Sequence, residues 1–164
     1  MGAAGLFENE RVELIQGVIV QMSAKGPTHE AVIQRLHEML VLALHGRASV
    51  RSQSPFAASD LSEPEPDVAV VPRGDYFDDH PNQAHLLVEV SDSSLRYDRG
   101  SKAKLYAECG VPEYWIVNLV DRLVEVHSDI VRGEYRKVVP HGASETIAPQ
   151  AFPDLAIALS KLLR

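Results

Sequence analysis

The sequence predicts an α/β (α+β) fold: a mixed β-sheet flanked by helices and opened by an N-terminal β-hairpin. Three observations lead there. The chain starts with strand-like runs broken by Gln16-Gly17, continues with apolar residues at helical 3 or 4 spacing, and then carries Val-rich runs separated by a second helical pattern. At 164 residues the chain has the usual size of one domain, and folding at this length buries about 70% of the unfolded surface. A single domain over residues 1–164 is the expectation.

Each element has a local reason. RVELIQGVIVQM reads as two strands joined by a Gly-assisted tight turn. After SAKGPT, Thr28 is placed to cap a helix, in which Val32, Ile33, Leu36, Met39, Leu40, Ala43 and Leu44 form an apolar stripe ending near Gly46. ASVRSQSPFAAS is a strand candidate, and the proline-rich DLSEPEP is a loop. DVAVVP and HLLVEVSD read as buried strands, each carrying an acid, with the polar RGDYFDDHPNQA between them. SSLRYDRGSKAKLYAECG is helical, with Gly110 as its stop. VPEYWIVN and RLVEVHSD form the next strand pair, GEYRKVVP is an edge strand, and LAIALSKLLR is expected to be a short amphipathic helix.

Composition narrows the classes of function. Charged residues make up 24% and hydrophobic residues 45%, as in ordinary globular chains, which argues against disorder or a fibrous repeat. The apolar runs are too short for a membrane span, and MGAAGLFENERVE has neither the basic nor the apolar region of a secretory leader. A cytoplasmic protein with no membrane association is expected. Lone Cys109 excludes an internal disulfide and a thiolate zinc site, so any metal would rest on oxygen or nitrogen ligands. With 16 Lys and Arg against 23 Asp and Glu, the net charge of −7 excludes a broadly basic surface for coating nucleic acid. Residues 91–105 invert that balance: Arg96, Arg99, Lys102 and Lys104 outweigh Asp92 and Asp98.

The candidate chemistry lies in acids on strands. A buried, unpaired carboxylate costs several kcal/mol, so Asp67 and Glu89 on Val-rich strands need a partner. Two such carboxylates on adjacent strands suit Mg²⁺ or Mn²⁺. Each acid alone also fits a solvated or ion-paired strand end. Glu13 is a third strand acid, which joins the others only if the hairpin lies at the same sheet end. Asp98 and Lys102 fit an ordinary helical pair four residues apart. His29, His37 and His45 are spaced by eight and drift around a helix, so they cannot share one metal, although His29 lies near the helix start. Tyr114 and Trp115 read as core aromatics. Neither a nucleophile-elbow G-x-S-x-G nor a phosphate-binding G-x-x-x-x-G-K occurs.

Five segments in order, VELIQGVIVQMS, GPTHEAVIQRLHEML, PEPDVAVV, LLVEVSDSS and YDRGSKAKLYAECGVPEYWIV, resemble the Uma-type family of restriction endonuclease-like proteins in the PD-(D/E)XK nuclease superfamily. The resemblance implies a restriction endonuclease-like core and metal-dependent hydrolysis of phosphodiester bonds, most readily of DNA. It implies Mg²⁺ or Mn²⁺ held by Asp67, Glu89 and the backbone carbonyl of Val90, with Glu13 as the additional acid. The superfamily lysine follows the Glu by two residues, but Ser91 stands there. The resemblance places that lysine on the following helix at Lys102, with Lys104 the weaker alternative. Catalytic roles fall to Asp67, Glu89, Lys102 and Glu13, and contacts to substrate to Arg96, Arg99, Lys104 and His29.

Two readings of function stand side by side. The first is a metal-dependent endonuclease, whose acidity calls for a homodimer to line a groove with Arg96, Arg99, Lys102 and Lys104. The exposed edge over residues 133–139 is the expected pairing surface. The second is a non-catalytic module of the same fold acting with a partner protein.

Overall fold

The computed structural model describes residues 11–163; most of MGAAGLFENERVE, on which the reading of no secretory leader rests, lies outside them. β1 (Val12–Ile15) and β2 (Val18–Gln21) pair antiparallel, with Ile15 opposite Val18. The two-residue turn needs left-handed backbone at both positions, and Gln16 and Gly17 supply it with φ of 51° and 77°. β8 (Glu134–Gly142) follows β7 (Leu123–Val131) through the same device at Arg132-Gly133, with φ of 53° and 73°.

α1 (Pro27–Leu44) carries the predicted stripe, with Val32, Ile33, Leu36, Leu40 and Leu44 buried. Its start differs from the sequence reading: Gly26 flanks the first turn in extended conformation, Pro27 opens it, and Thr28 lies inside it without capping. Proline's fixed φ and missing N–H suit a first helical position, which removes the need for a hydroxyl cap. The helix ends one residue earlier than Gly46, with His45 in the left-handed conformation.

A six-stranded sheet forms the centre, in the order β3 (Ser49–Ser52), β4 (Val68–Val71), β5 (Leu86–Ser91), β6 (Tyr114–Asn118), β7 and β8. The strand predicted over ASVRSQSPFAAS is thus only its first part. Neighbours are antiparallel except β5 and β6, which are parallel and joined across a helical crossover. β8 is an edge strand, as its sequence suggests. Alternation along the strands serves two cores. Val68, Val70, Leu86, Val88, Trp115 and Val117 pack with α1, whereas Ala69, Leu87, Tyr114 and Ile116 pack with Leu105 and Tyr106 of the crossover. Glu89 and Ser91 share the parity of Leu87 and therefore face the crossover helix.

That crossover is one helical run over residues 95–108 with an irregular centre. α2 (Leu95–Tyr97) leads into a π-helical stretch, Asp98–Lys102, and then into α3 (Ala103–Glu108). The predicted C-terminal helix does not form. β10 (Ile157–Ala158) instead pairs with β9 (Thr146–Ile147), and a single 3₁₀ turn, Leu159–Lys161, follows. The segment is too short to sustain a helix by itself, and pairing with β9 while burying Ile157, Leu159, Leu162 and Leu163 satisfies it better. No helix among the described residues is long and apolar enough to cross a membrane.

Candidate active site

Asp67 immediately precedes β4, behind the Pro64-Glu65-Pro66 loop. Its carboxylate faces β5: Oδ2 accepts the Val90 N–H at 2.8 Å. The β4–β5 register runs from Val70↔Leu86 to Val68↔Val88, so this bond replaces the next ladder bond and brings Asp67 level with Glu89. The sheet opens there into a cleft of about 250 Å³ whose walls include Glu13, Asp67, Glu89, Val90, His29 and Lys102.

The π-helical stretch turns Lys102 into this cleft. Its Nζ donates to Glu13 Oε1 at 2.5 Å and to Glu89 Oε1 at 3.1 Å, and the side chain is almost fully buried. The helical pair expected between Asp98 and Lys102 is therefore not the arrangement found. Asp98 Oδ2 accepts from Ser91 Oγ at 2.5 Å and Ser94 Oγ at 2.6 Å. A wide turn at this point lets Asp98 and Lys102 serve different partners, and such π turns recur at functional sites. Tyr106, one turn beyond, donates its hydroxyl to Glu89 Oε1 at 2.7 Å. Glu13 also accepts the Glu65 N–H at 2.8 Å, which ties the hairpin to the loop before Asp67.

The charges are strongly coupled. Burial pushes the Glu89 carboxyl up to about 8, against the opposing pull of Lys102. Burial acts to lower Lys102, but the carboxylates of Glu89 and Glu13 override it and hold the ammonium above its ordinary range. Burial raises Asp98, and the two serine hydroxyls moderate the rise. Burial also raises the Tyr106 phenol, so it stays a donor.

Around Asp67, Lys25 Nζ stands 2.5 Å from Oδ1, and His29 Nε2 is 3.5 Å from Oδ2. His29 Nδ1 has no hydrogen-bond partner among the described residues. Lys25 lies in the aperiodic turn before α1 and carries no sequence signal of its role. Tyr106 had one, its place in the Asp98, Lys102, Tyr106 series, but its bond to Glu89 depends on the meeting of helix and sheet.

The sequence-derived candidates divide. Glu13, Asp67, Glu89, Val90, Lys102 and His29 meet in the cleft. Arg96, Arg99 and Lys104 do not line it: Arg96 is exposed, Arg99 Nη2 binds Glu125 Oε1 at 2.5 Å, and Lys104 lies 3.7 Å from Glu108. These cations sit on other faces of the helical run, away from Asp98, Lys102 and Tyr106.

The donor set suits a hard divalent cation, since Asp67 and Glu89 bring carboxylate oxygens and Val90 a carbonyl. Among the described residues, no cluster of three or more His, Cys, Asp and Glu side chains forms a ready cage.

A mixed sheet with helices on both faces and an acid, acid, lysine cleft at one end defines a restriction endonuclease-like nuclease fold. The Uma2 family, described as putative restriction endonuclease, matches residues 6–160, and the chain belongs to that family. The crystal structure of a putative nuclease belonging to DUF820 from Anabaena variabilis superposes with a TM-score of 0.74 at 16% identity, covering 93% of this chain and 89% of that one. At this identity the likeness establishes the shared fold. No curated protein matches the chain.

Proposed function

We propose that this protein is a metal-dependent endonuclease that hydrolyses phosphodiester bonds of DNA at the Glu13, Asp67, Glu89, Lys102 cleft. The observation that carries the reading is Lys102, a nearly buried ammonium held between Glu13 and Glu89 beside Asp67. It restores from a helix the cation that Ser91 fails to supply from the strand. A structural role alone gives no reason to bury one lysine between two strand carboxylates in a cleft that a third acid, Asp67, also lines.

Asp67, Glu89 and the Val90 carbonyl would hold Mg²⁺ or Mn²⁺. When bound, the ion would supply positive charge against the phosphate and acidify the attacking water. Lys102, kept protonated by its two carboxylates, is suited to donate to the water or a phosphate oxygen and to stabilise charge developing at phosphorus. It is poorly suited to act as the base. Glu13 aims the ammonium, and the Tyr106 hydroxyl fixes Glu89 Oε1. His29, which lines the cleft, would meet substrate there. The same reading takes residues 1–164 as one cytoplasmic domain that forms a homodimer, an arrangement the free edge of β8 favours.

One observation favours the second reading, a binding module that works with a partner protein. Lys25 and the Val90 N–H already occupy Asp67, so this carboxylate is paired without an ion. Cleavage of labelled plasmid, linear duplex, single-stranded DNA and RNA in Mg²⁺ at low salt decides between them, beside Asp67→Ala and Lys102→Ala. Metal-dependent cleavage by the parent alone supports the nuclease. Full cleavage by either variant overturns the site, and a folded parent that neither cleaves nor binds metal favours the module.

A further inference from the structure

A second cavity, of about 470 Å³, is walled by the start of α1, the β6–β7 turn and the end of the chain. Its lining and that of the cleft are consecutive at one peptide of α1. Thr28 lines it while the next residue, His29, lines the cleft. Leu119, on its floor, donates its N–H to the Ser91 carbonyl at 2.9 Å.

The two spaces have opposite electrostatics. The cleft places Glu13, Asp67, Glu89, Asp92 and Asp98 against Lys25 and Lys102, with His29 beside them. Such a surface repels a polyanion unless ions are bound. The second cavity has Arg35 and Arg122 as its charged residues and no carboxylate in its walls among the described residues. Neither arginine forms an ion pair among the described residues: Arg35 Nη1 reaches only the Lys161 carbonyl, at 3.2 Å. The floor is aliphatic, with Leu119, Leu162 and Leu163.

We propose that this cavity holds one unpaired nucleotide of the substrate strand next to the scissile phosphate, its phosphate on Arg35 and Arg122 and its base on the leucine floor. The inference rests on the nuclease reading above and specifies the substrate. A guanidinium offers a fork of donors matched to phosphate oxygens, and two with no carboxylate partner among the described residues need little rearrangement to accept one. The volume falls within the range of small-ligand sites, about 300 to 1,000 Å³. A base inside an intact duplex presents only its edge to a protein, so a base seated on this floor must have left its partner, as extruded bases do in apolar pockets. The substrate is accordingly single-stranded or frayed beside the cut.

Fluorescence anisotropy with the full chain tests this, in EDTA and again in Ca²⁺. The probes are a labelled single-stranded DNA 12-mer, its blunt duplex and an abasic 12-mer, against parent, Asp67→Ala and the double variant Arg35→Gln, Arg122→Gln. The expected results are single-strand binding by the parent about tenfold tighter than to duplex, and loss of about tenfold in the double variant. The slope of log affinity against log salt should flatten by about 0.7, for the one phosphate that the two arginines share, and the abasic strand should bind more weakly than the intact one. A thermal transition unchanged from the parent's shows that the double variant is folded; a loss of binding explained by unfolding is replaced by the same comparison in each single variant. Equal binding by parent and variants, equal binding of duplex and single strand, or no binding by the parent overturns the proposal. Asp67→Ala separates the two readings: cleavage that survives it defeats the site assignment while leaving the binding result intact, and binding unaffected by the arginines defeats the nucleotide site while leaving the nuclease.

Discussion

Ser91, standing where the superfamily pattern has lysine, donates its hydroxyl to Asp98 at 2.5 Å and so anchors the helical run that delivers the lysine. Both partners are buried, and Asp98 opens the π-helical stretch that Lys102 closes. The strand position holds a clamp on the helical run in place of a cation.

Ser91→Ala removes one donor from a buried carboxylate, and the expected cost is about 1 to 3 kcal/mol. Because burial raises Asp98 in the folded state, its proton uptake favours folding at low pH, and that contribution is lost as pH rises through the folded value. Ser91→Ala should steepen the decline, whereas Asp98→Asn, which still accepts from both serines, should flatten it. Urea unfolding across pH checks both.

Lys102→Met leaves Glu13 and Glu89 facing each other without a cation. Breaking a buried ion pair on one side costs about 3 to 5 kcal/mol. The deficit should be largest at pH 9, above the Glu89 value of about 8, and should shrink toward pH 5, where the carboxyl holds its own proton. Equal deficits at the two pH values would contradict the coupling.

Metal stabilisation should follow the same titration. Below about 8 the proton on Glu89 must be displaced before the carboxylate can bind an ion. The rise in thermal midpoint on adding millimolar Mn²⁺ should therefore be larger at pH 9 than at pH 6, and EDTA should reverse it. Asp67→Ala should abolish the rise.

Tyr106→Phe removes a buried donor at 2.7 Å from Glu89. A hydrogen bond to a charged acceptor contributes about 1.5 to 3 kcal/mol, so stability should fall within that range at pH 9. Cleavage should fall through the displaced Glu89, and the pH at which activity appears should rise. A lower rate with an unshifted pH profile would assign Tyr106 to packing alone.

Much of this protein is legible in its residues because the relevant physics is local. Alternation and helical spacing place the hairpin, α1, β4, β5 and the strands beyond. The chain also displays its acids on strands, where an unpaired charge has no local explanation. Short elements escape such reasoning. The last segment has an amphipathic pattern, yet two residues of pairing with β9 and the surrounding core decide its form.

The sequence by itself determined the hairpin, α1, the central strands, the acidic strand ends and the family-like order of motifs, since each is a property of neighbouring residues. Tertiary structure alone decided which side chains meet. Lys102 joins Glu13 across 89 positions and leaves Asp98 to Ser91, Lys25 reaches Asp67 from the turn before α1, and Arg99 and Lys104 turn away to Glu125 and Glu108. A helix face is set by spacing, but the partner of that face is set by how the chain packs, and a π turn shifts the face by an amount that no periodicity records.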